Sequence, residues 1–123
     1  MKQAFLVFLG GGLGSVARFM LSKILNPYFQ HFFLGTFLVN SIGCLLIGII
    51  LGLSVRSNVL SENYTLLLAT GFCGGFTTFS AFAFEKHSLL KSGEFFHFSF
   101  YTLSSIIIGL IAVFIGVWIS KLY

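Results

Sequence analysis

The stretch GFCGGFTTFSAF, residues 71–82, lies within an apolar run long enough to cross a membrane, yet it combines three glycines with two threonines and a serine. Glycines permit backbone conformations that other residues avoid, and they are frequent where membrane helices bend or break. Unpaired backbone N–H and C=O groups are costly in hydrocarbon, so a break survives only where protein or water satisfies them. The stretch therefore predicts a helix that breaks near residues 74–77.

The composition of the whole chain indicates an integral membrane protein. Hydrophobic residues make up 57% of its 123 positions and charged residues only 8%, and the mean hydropathy is +1.01. A soluble domain has about 25% charged residues, whereas a spanning helix needs about 20 mainly apolar residues in a row. We predict an all-α fold with a single four-helix transmembrane domain over residues 1–123, whose spans cover about 4–25, 32–53, 64–84 and 97–120.

The seven Lys and Arg residues form no cluster or stripe, so nucleic acid is not an expected partner. The positive-inside rule orients a membrane protein through a Lys/Arg imbalance between its loops. A chain without that imbalance is expected to insert in both orientations, and an antiparallel homodimer is then the simplest closed assembly. A fixed topology set by other features is the alternative. With four spans, Lys2, Arg56 and Lys121 fall on one side, Lys23, Lys86 and Lys91 fall on the other, and Arg18 lies inside the first span.

The cysteines and histidines show no metal or redox motif. Cys44 and Cys73 fall in different spans without a CxxC spacing, so buried structural thiols are expected. His31, His87 and His97 lie at or near predicted helix ends, form no ligand-spaced set and are predicted to be interfacial.

Small residues recur at spacings that suit close helix packing. The GxxxG spacing lets two helix backbones approach each other closely. The stretch GGGLGS at 10–15 lacks the last glycine and the strand–turn–helix context of a dinucleotide site. We therefore predict packing roles for the pairs Gly10/Gly14, Gly48/Gly52 and Gly71/Gly75.

Polar side chains inside the spans are candidates for a pathway. Asn40 lies well inside the second span, where its amide either bonds to another helix or offers N–H donors to an anion. Tyr101, Ser105 and Gly109 are four residues apart on the fourth span, so their face carries hydroxyl groups. Such hydroxyls also bond back to their own helix, which keeps a purely structural role open.

The broken stretch itself suggests contacts for ions of both signs. Carbonyl groups freed by a break suit a hard cation such as Na⁺. Phe79 and Phe82 are three residues apart with Ser80 between them, and the positive edges of their rings can contact an anion. Packing or lipid contact is the alternative for both rings.

Charged residues within the spans are few. Arg18 either extends to the interface or lies beside a water-filled vestibule. Glu62, Glu85 and Glu94 are predicted at helix ends or in loops.

The chain resembles the Fluc (CrcB) family of fluoride channels in three stretches: GGGLGSVARF at 10–19, GTFLVNSIG at 35–43 and GFCGGFTTFSAF at 71–82. They occur in the family's order across four spans, so the resemblance covers essentially the whole chain. It implies an antiparallel, dual-topology homodimer in the cell's inner membrane, surrounded by lipid. That dimer would have two pores that export toxic fluoride passively and reject chloride, and a structural Na⁺ at its centre.

The resemblance also implies residue roles. The backbone carbonyls of Gly74 and Thr77 would hold the Na⁺, and Arg18 would lie near the pore entrance. Gly109 replaces a hydroxyl that some members have, and Ala81 replaces a threonine. The fluoride pore would be lined by Phe79 and Phe82, with Asn40 and Ser80 beside them and Tyr101 and Ser105 in a polar track.

Other classes of function fit the sequence less well. A small multidrug-resistance-type exporter has a similar length and charge balance, but it needs a membrane-embedded carboxylate, which the first span lacks. A non-transporting accessory subunit would explain the glycines but not the break. An enzyme is not expected, because no nucleophile–base pair or metal set is visible.

Overall fold

The computed structural model describes residues 1–57 and 60–122, and every regular element within these ranges is a helix. Four stretches are long and apolar enough to cross a membrane: Lys2–Tyr28, Leu34–Val55, Glu62–Lys91 and Phe95–Ser120. The predicted all-α class with four membrane-spanning helices is thereby confirmed. Large apolar side chains on these helices point outward, as lipid contact requires; Phe8, Phe84 and Phe114 are 72%, 72% and 73% exposed.

The first, second and fourth spans are uninterrupted helices. Helix α1 covers Lys2–Leu25, and a short 3₁₀ turn at Asn26–Tyr28 follows it. Pro27 lies in that turn, where it lacks the N–H needed to continue the helix. Helix α2 covers Leu34–Ser57, and the last helix, α6, covers Phe95–Ser120.

The third span is broken, and the break lies where the sequence predicts it. The first half consists of α3 (Glu62–Thr65), a π-helical segment (Leu66–Cys73) and α4 (Gly74–Phe76). Thr77 and Thr78 are then extended, with ψ of 157° and 121° respectively. The second half, α5, covers Phe79–Lys91.

Helix α5 continues beyond the predicted end of the third span at residue 84. Lys86, which follows the predicted end of the span, therefore lies within α5. The reason is that the charges fall on different faces of the helix instead of ending it. Glu85 and Leu89, four residues apart, are both buried, whereas His87 is exposed.

Two of the three glycines in the broken stretch, Gly71 and Gly75, pack the third span against α1 instead of forming the break. Gly74 has ordinary helical angles, with φ of −62° and ψ of −39°, so the expectation that glycine conformations break the helix was wrong. A Cβ at Gly75 would lie 2.9 Å from the Gly11 Cα, and a Cβ at Gly14 would lie 2.8 Å from the Phe76 nitrogen. Only glycine permits this approach of α1 to the third span, so the packing role predicted from the GxxxG spacing is confirmed.

A tight turn joins α5 to α6. Gly93 has a φ of 75° and follows Ser92, the C-cap of α5. Its N–H donates to the Leu90 carbonyl at 3.1 Å, and the Glu94 N–H donates to the Leu89 carbonyl at 2.9 Å. These two bonds form a Schellman motif. The motif fixes the position of Glu94 immediately before α6.

Candidate functional site

The side chain of Asn40 takes the place of the helical hydrogen bonds at the break. Its Nδ2 donates to the Thr78 carbonyl at 3.1 Å, and its Oδ1 accepts from the Thr78 N–H at 2.7 Å. One amide of α2 thus pairs with both polar groups of one residue of the third span. Of the two interpretations that the sequence leaves open for Asn40, the interhelical bond is present in the structure. This interhelical contact uses one of the two Nδ2–H groups of Asn40, so the second N–H can donate to a ligand.

A cavity of about 540 Å³ lies beside the break, and we call it the phenylalanine groove. Four of the predicted pore residues line it, namely Asn40, Phe79, Phe82 and Ser105. The Phe79 and Phe82 ring centroids are 6.2 Å apart, and the Phe79 side chain is 80% exposed. The groove therefore combines an amide, a hydroxyl and two rings from α2, α5 and α6.

The other two predicted pore residues lie outside the lining of the groove. Ser80 is exposed, and its Oγ is 3.3 Å from the Thr78 Oγ1. Tyr101 is fully buried beneath Phe82, with ring centroids 5.2 Å apart in an edge-on arrangement. Phe82 also contacts Lys86, whose Nζ lies 3.9 Å from the ring centroid. Both long side chains hold the Phe82 ring in place.

Among the buried side chains that the structure describes, the Ser105 hydroxyl is the one polar group without a hydrogen bond. Its Oγ is inaccessible to solvent and has no hydrogen-bond partner there, although Ser105 lines the groove. A buried hydroxyl without a partner costs about 1–3 kcal/mol. A ligand that accepts a hydrogen bond would remove that cost.

A second cavity of about 450 Å³, which we call the polar cavity, also reaches the break at Thr78. Arg18, Lys23 and Glu85 bring their charges to its wall, and Thr78 lines both cavities. The Arg18 Nε donates to the Gly75 carbonyl at 3.0 Å, so the guanidinium is tied to the end of α4. Arg18 therefore lies in a cavity of the kind expected for a vestibule.

Glu85 is buried, which corrects its predicted place at a helix end or in a loop. Only 8% of it is exposed. The Thr36 hydroxyl donates to Oε1 at 2.5 Å, and the Tyr101 hydroxyl donates to Oε2 at 2.8 Å. The burial of Glu85 was not predicted, because the residue follows the end of an apolar run. The spacing of three from Phe82 and four to Leu89 would have placed Glu85 on the inward face of α5.

The backbone at the break also fits the Na⁺ that the family resemblance implies. A helical Gly74 carbonyl would accept from the Thr78 N–H, but that N–H donates to Asn40. A helical Thr77 carbonyl would accept from the Ala81 N–H, but that N–H donates to the Thr78 Oγ1. Both carbonyls have thus lost their usual donors, and freed carbonyls are the ligands that a hard cation prefers. Gly74 and Thr77 both lie at the phenylalanine groove.

Two histidines that were predicted to form no ligand-spaced set are brought together. The rings of His31 and His97 have centroids 4.7 Å apart. The carboxylate of Glu94 lies within 4 Å of a nitrogen of each. Spacing along the chain does not reveal this contact, because it depends on how two distant connections meet in space.

Comparison with known proteins identifies the family. The family model for "CrcB-like protein, Camphor Resistance (CrcB)" matches residues 5–117. A protein of Azobacteroides pseudotrichonymphae genomovar. CFP2, named fluoride-specific ion channel FluC, is 44% identical over 124 residues, which is 100% of this chain and 99% of that protein. Proteins of the same name from Chlorobium phaeobacteroides (strain BS1) and Bacteroides fragilis (strain YCH46) are 47% and 46% identical over 96% and 98% of this chain, and 92% and 98% of their own lengths are covered. This chain therefore belongs to the CrcB-like family.

Proposed function

We propose that the chain is a fluoride-selective channel that exports fluoride passively across the cell's inner membrane. The observation that carries the proposal is the phenylalanine groove, where the Asn40 amide, the unpartnered Ser105 hydroxyl and two aromatic rings converge at a helix break. The full-length relatives named fluoride-specific ion channels support this choice of anion. The function needs no covalent step, and none of the groove's features requires an enzyme.

The chemistry of the groove suits a small, strongly hydrated anion. A pore must replace the water around fluoride with several donors, yet bind weakly enough for the ion to leave. The amide of Asn40, the hydroxyl of Ser105 and the edges of Phe79 and Phe82 are such donors. Among the described residues that line the groove, none carries a formal charge. Fluoride would therefore not be held in the groove by an ion pair with a cationic side chain.

The polar cavity supplies the approach to the groove. Arg18 and Lys23 place two positive charges at its wall against the one carboxyl group of Glu85, and an excess of positive charge raises the local concentration of an anion. Thr78 separates this cavity from the groove, because it lines both. We infer a route that passes from Arg18, past Thr78, to Asn40 and Phe82.

The working unit in this proposal is an antiparallel, dual-topology homodimer. Gly74 and Phe79 are exposed halfway along the third span, where a second copy would cover them. The equal numbers of Lys and Arg residues predicted on the two sides of the membrane favour insertion in both orientations. The carbonyls of Gly74 and Thr77 from each copy would hold a structural Na⁺ between them. Such an ion supplies fixed positive potential at the dimer centre.

The test is ion flux from liposomes that contain the purified chain. We expect rapid fluoride efflux down its gradient and little chloride efflux under the same conditions. Absence of fluoride efflux in Na⁺-containing buffer would contradict the channel proposal. Fluoride efflux in this assay would also exclude the role of a non-transporting accessory subunit, because no other protein is present in the liposomes.

A separate arm tests the structural cation. Na⁺ is replaced throughout purification and reconstitution by a bulky organic cation that cannot fit among four carbonyls. We expect fluoride flux to fall while the helix content, measured by circular dichroism, is unchanged. Flux that is indifferent to the exchange would remove Na⁺ from the proposal and leave the channel function standing.

The buried carboxylate of Glu85 bears on the alternative function, a multidrug exporter. Both oxygens of Glu85 already accept hydrogen bonds, from Thr36 and Tyr101. A carboxylate that exchanges protons for cationic drugs has to be open to them, and Glu85 is 8% exposed. We expect no proton-driven uptake of a cationic dye by the same liposomes.

A further inference from the structure

Three side chains that can bind metal meet at the start of α6, away from both cavities. His31 comes from the segment between α1 and α2, Glu94 directly precedes α6, and His97 lies in its first turn. The His97 Nδ1 is 2.8 Å from the Glu94 Oε2, and the His31 Nε2 is 3.9 Å from the Glu94 Oε1. One donor atom from each residue lies within 4.8 Å of the other two.

Packing of the surrounding backbone holds these residues together. The Schellman motif at Gly93 positions Glu94 at the end of α5. On the other side, Phe32 follows His31 directly, and its ring packs against Phe100 and Tyr101 of α6 at centroid distances of 6.0 and 5.1 Å. The cluster thus joins residues far apart in sequence through a packed contact.

The donor set selects a class of ion. Imidazole nitrogens suit Zn²⁺ and its neighbours in the first transition row better than Mg²⁺ or Ca²⁺. Two histidines and one carboxylate are also a known ligand set of Zn²⁺ sites that keep an open position for water. Small side-chain rotations would close the donors around an ion with bonds of about 2.0–2.2 Å.

The cluster is also accessible. The side chains of His31 and His97 are each 39% exposed, and that of Glu94 is 35% exposed. An ion can therefore enter from water without opening the fold, and water can complete its coordination. The geometry points to a binding site for a divalent transition-metal ion of the Zn²⁺ class, held by His31, Glu94 and His97 at one end of the bundle.

A bound ion would tie the α1–α2 connection to the start of α6. An ion that binds only the folded chain raises its stability in proportion to the logarithm of the free ion concentration. We therefore expect added Zn²⁺ to raise the midpoint of thermal unfolding. This effect is independent of fluoride transport, so its failure would leave the proposed channel untouched.

The experiment measures Zn²⁺ binding to the full chain in detergent after removal of any polyhistidine tag. Competition with a chromophoric chelator should give one Zn²⁺ per chain. His31→Ala and His97→Ala should each weaken binding at least tenfold. Glu94→Gln should also weaken it, because it removes the anionic ligand and keeps the side-chain length. The matched control is His87→Ala, since His87 is exposed on α5 outside the cluster.

Two outcomes would overturn the site. One is the absence of Zn²⁺ binding by the wild-type chain above the level of the His31→Ala/His97→Ala variant. The other is an equal loss of binding in His87→Ala. If either alanine variant fails to fold, the wild-type chain loaded with Co²⁺ decides the matter. Absorption bands of four- or five-coordinate, nitrogen-ligated Co²⁺ support the site, and the spectrum of aqueous Co²⁺ contradicts it.

Discussion

The stretch at residues 71–82 contains two regions that are held together in opposite ways. In its first half, Gly75 packs directly on the α1 backbone at Gly11, with no side chain between them. In its second half, Thr78 is extended and depends on the Asn40 side chain for both of its backbone hydrogen bonds. The two regions are separated by only a few residues.

The difference separates steric from polar requirements. The glycine contact tolerates no added atom, because the atoms that would clash are backbone and cannot move aside. The break depends on polar contacts, because its backbone groups have left the helix and the loss of a donor or acceptor leaves them unpaired. Substitutions in the first region should therefore destroy the fold, and those in the second should affect transport first.

The largest effect is expected from Gly14→Ala in the glycine contact. Its Cβ would collide with the backbone of Phe72 and Phe76, so α1 must move away from the third span. Overpacking of this kind costs about 1–3 kcal/mol. Thermal unfolding in detergent should show a clear loss of stability or no monodisperse protein at all.

Gly12→Ala is the matched control on the same helix. No atom lies within 4 Å of a Cβ at Gly12, and alanine favours a helix over glycine by about 1 kcal/mol. Its unfolding midpoint should equal or exceed that of the wild-type chain. Equal losses in the two variants would show that close backbone approach is not what matters there.

Asn40→Ala is expected to have the next largest effect. It removes the two hydrogen bonds to the N–H and C=O of Thr78, each with a net contribution of about 0.5–1.5 kcal/mol. Fluoride flux in liposomes should fall at least tenfold, with a moderate loss of stability. Ser41→Ala is the control, because the Ser41 hydroxyl bonds back to Phe37 on its own helix. Normal flux through Asn40→Ala would remove this amide from the pathway.

Phe82→Ile should reduce flux with less effect on the fold. Isoleucine fills similar space but lacks the positive edge of an aromatic ring, so the anion loses that contact. We expect fluoride flux to fall up to about tenfold, which corresponds to about 1.4 kcal/mol. The proposed dimer should persist in size-exclusion chromatography. Phe84→Ile, at a side chain 72% exposed on the same helix, should conduct normally, and an equal fall in both variants would speak against ring edges.

Ser105→Ala should have the smallest effect and the most distinctive one. The Ser105 hydroxyl has no partner among the described residues, so its removal should leave the unfolding midpoint unchanged or higher. Loss of one donor to the ion, worth about 0.5–1.5 kcal/mol, should still lower flux several-fold. Ser104→Ala is the control, since Ser104 bonds to the Tyr101 carbonyl. A stability loss without a change in flux would make Ser105 a structural residue.

The fold was largely predictable, because hydrophobicity and length determine what can cross a membrane. Four spans and a break near Thr77 follow from composition and the position of the small residues. The cause of the break was not predictable. Gly74 could adopt an unusual backbone conformation, but its angles are helical. The neighbouring residues are helical because they pack against α1.

The candidate site was predictable only in part. Asn40, Phe79, Phe82 and Ser105 share a groove, which the family resemblance implies and helical spacing within single spans does not. Glu85 was missed, because an acidic residue at the end of an apolar run looks like the start of a loop. Its burial depends on hydroxyl groups supplied by Thr36 and Tyr101, which lie far away in sequence.

The position of Lys86 over Phe82 gives that ring an electrical role. An ammonium group 3.9 Å from the ring centroid attracts the π electrons toward one face. The hydrogen atoms around the rim become correspondingly more positive. Phe82 can thereby transmit the influence of a lysine into the groove while the lysine itself stays outside its lining. An anion that touches this rim would be attracted by a dispersed charge and could leave without breaking an ion pair.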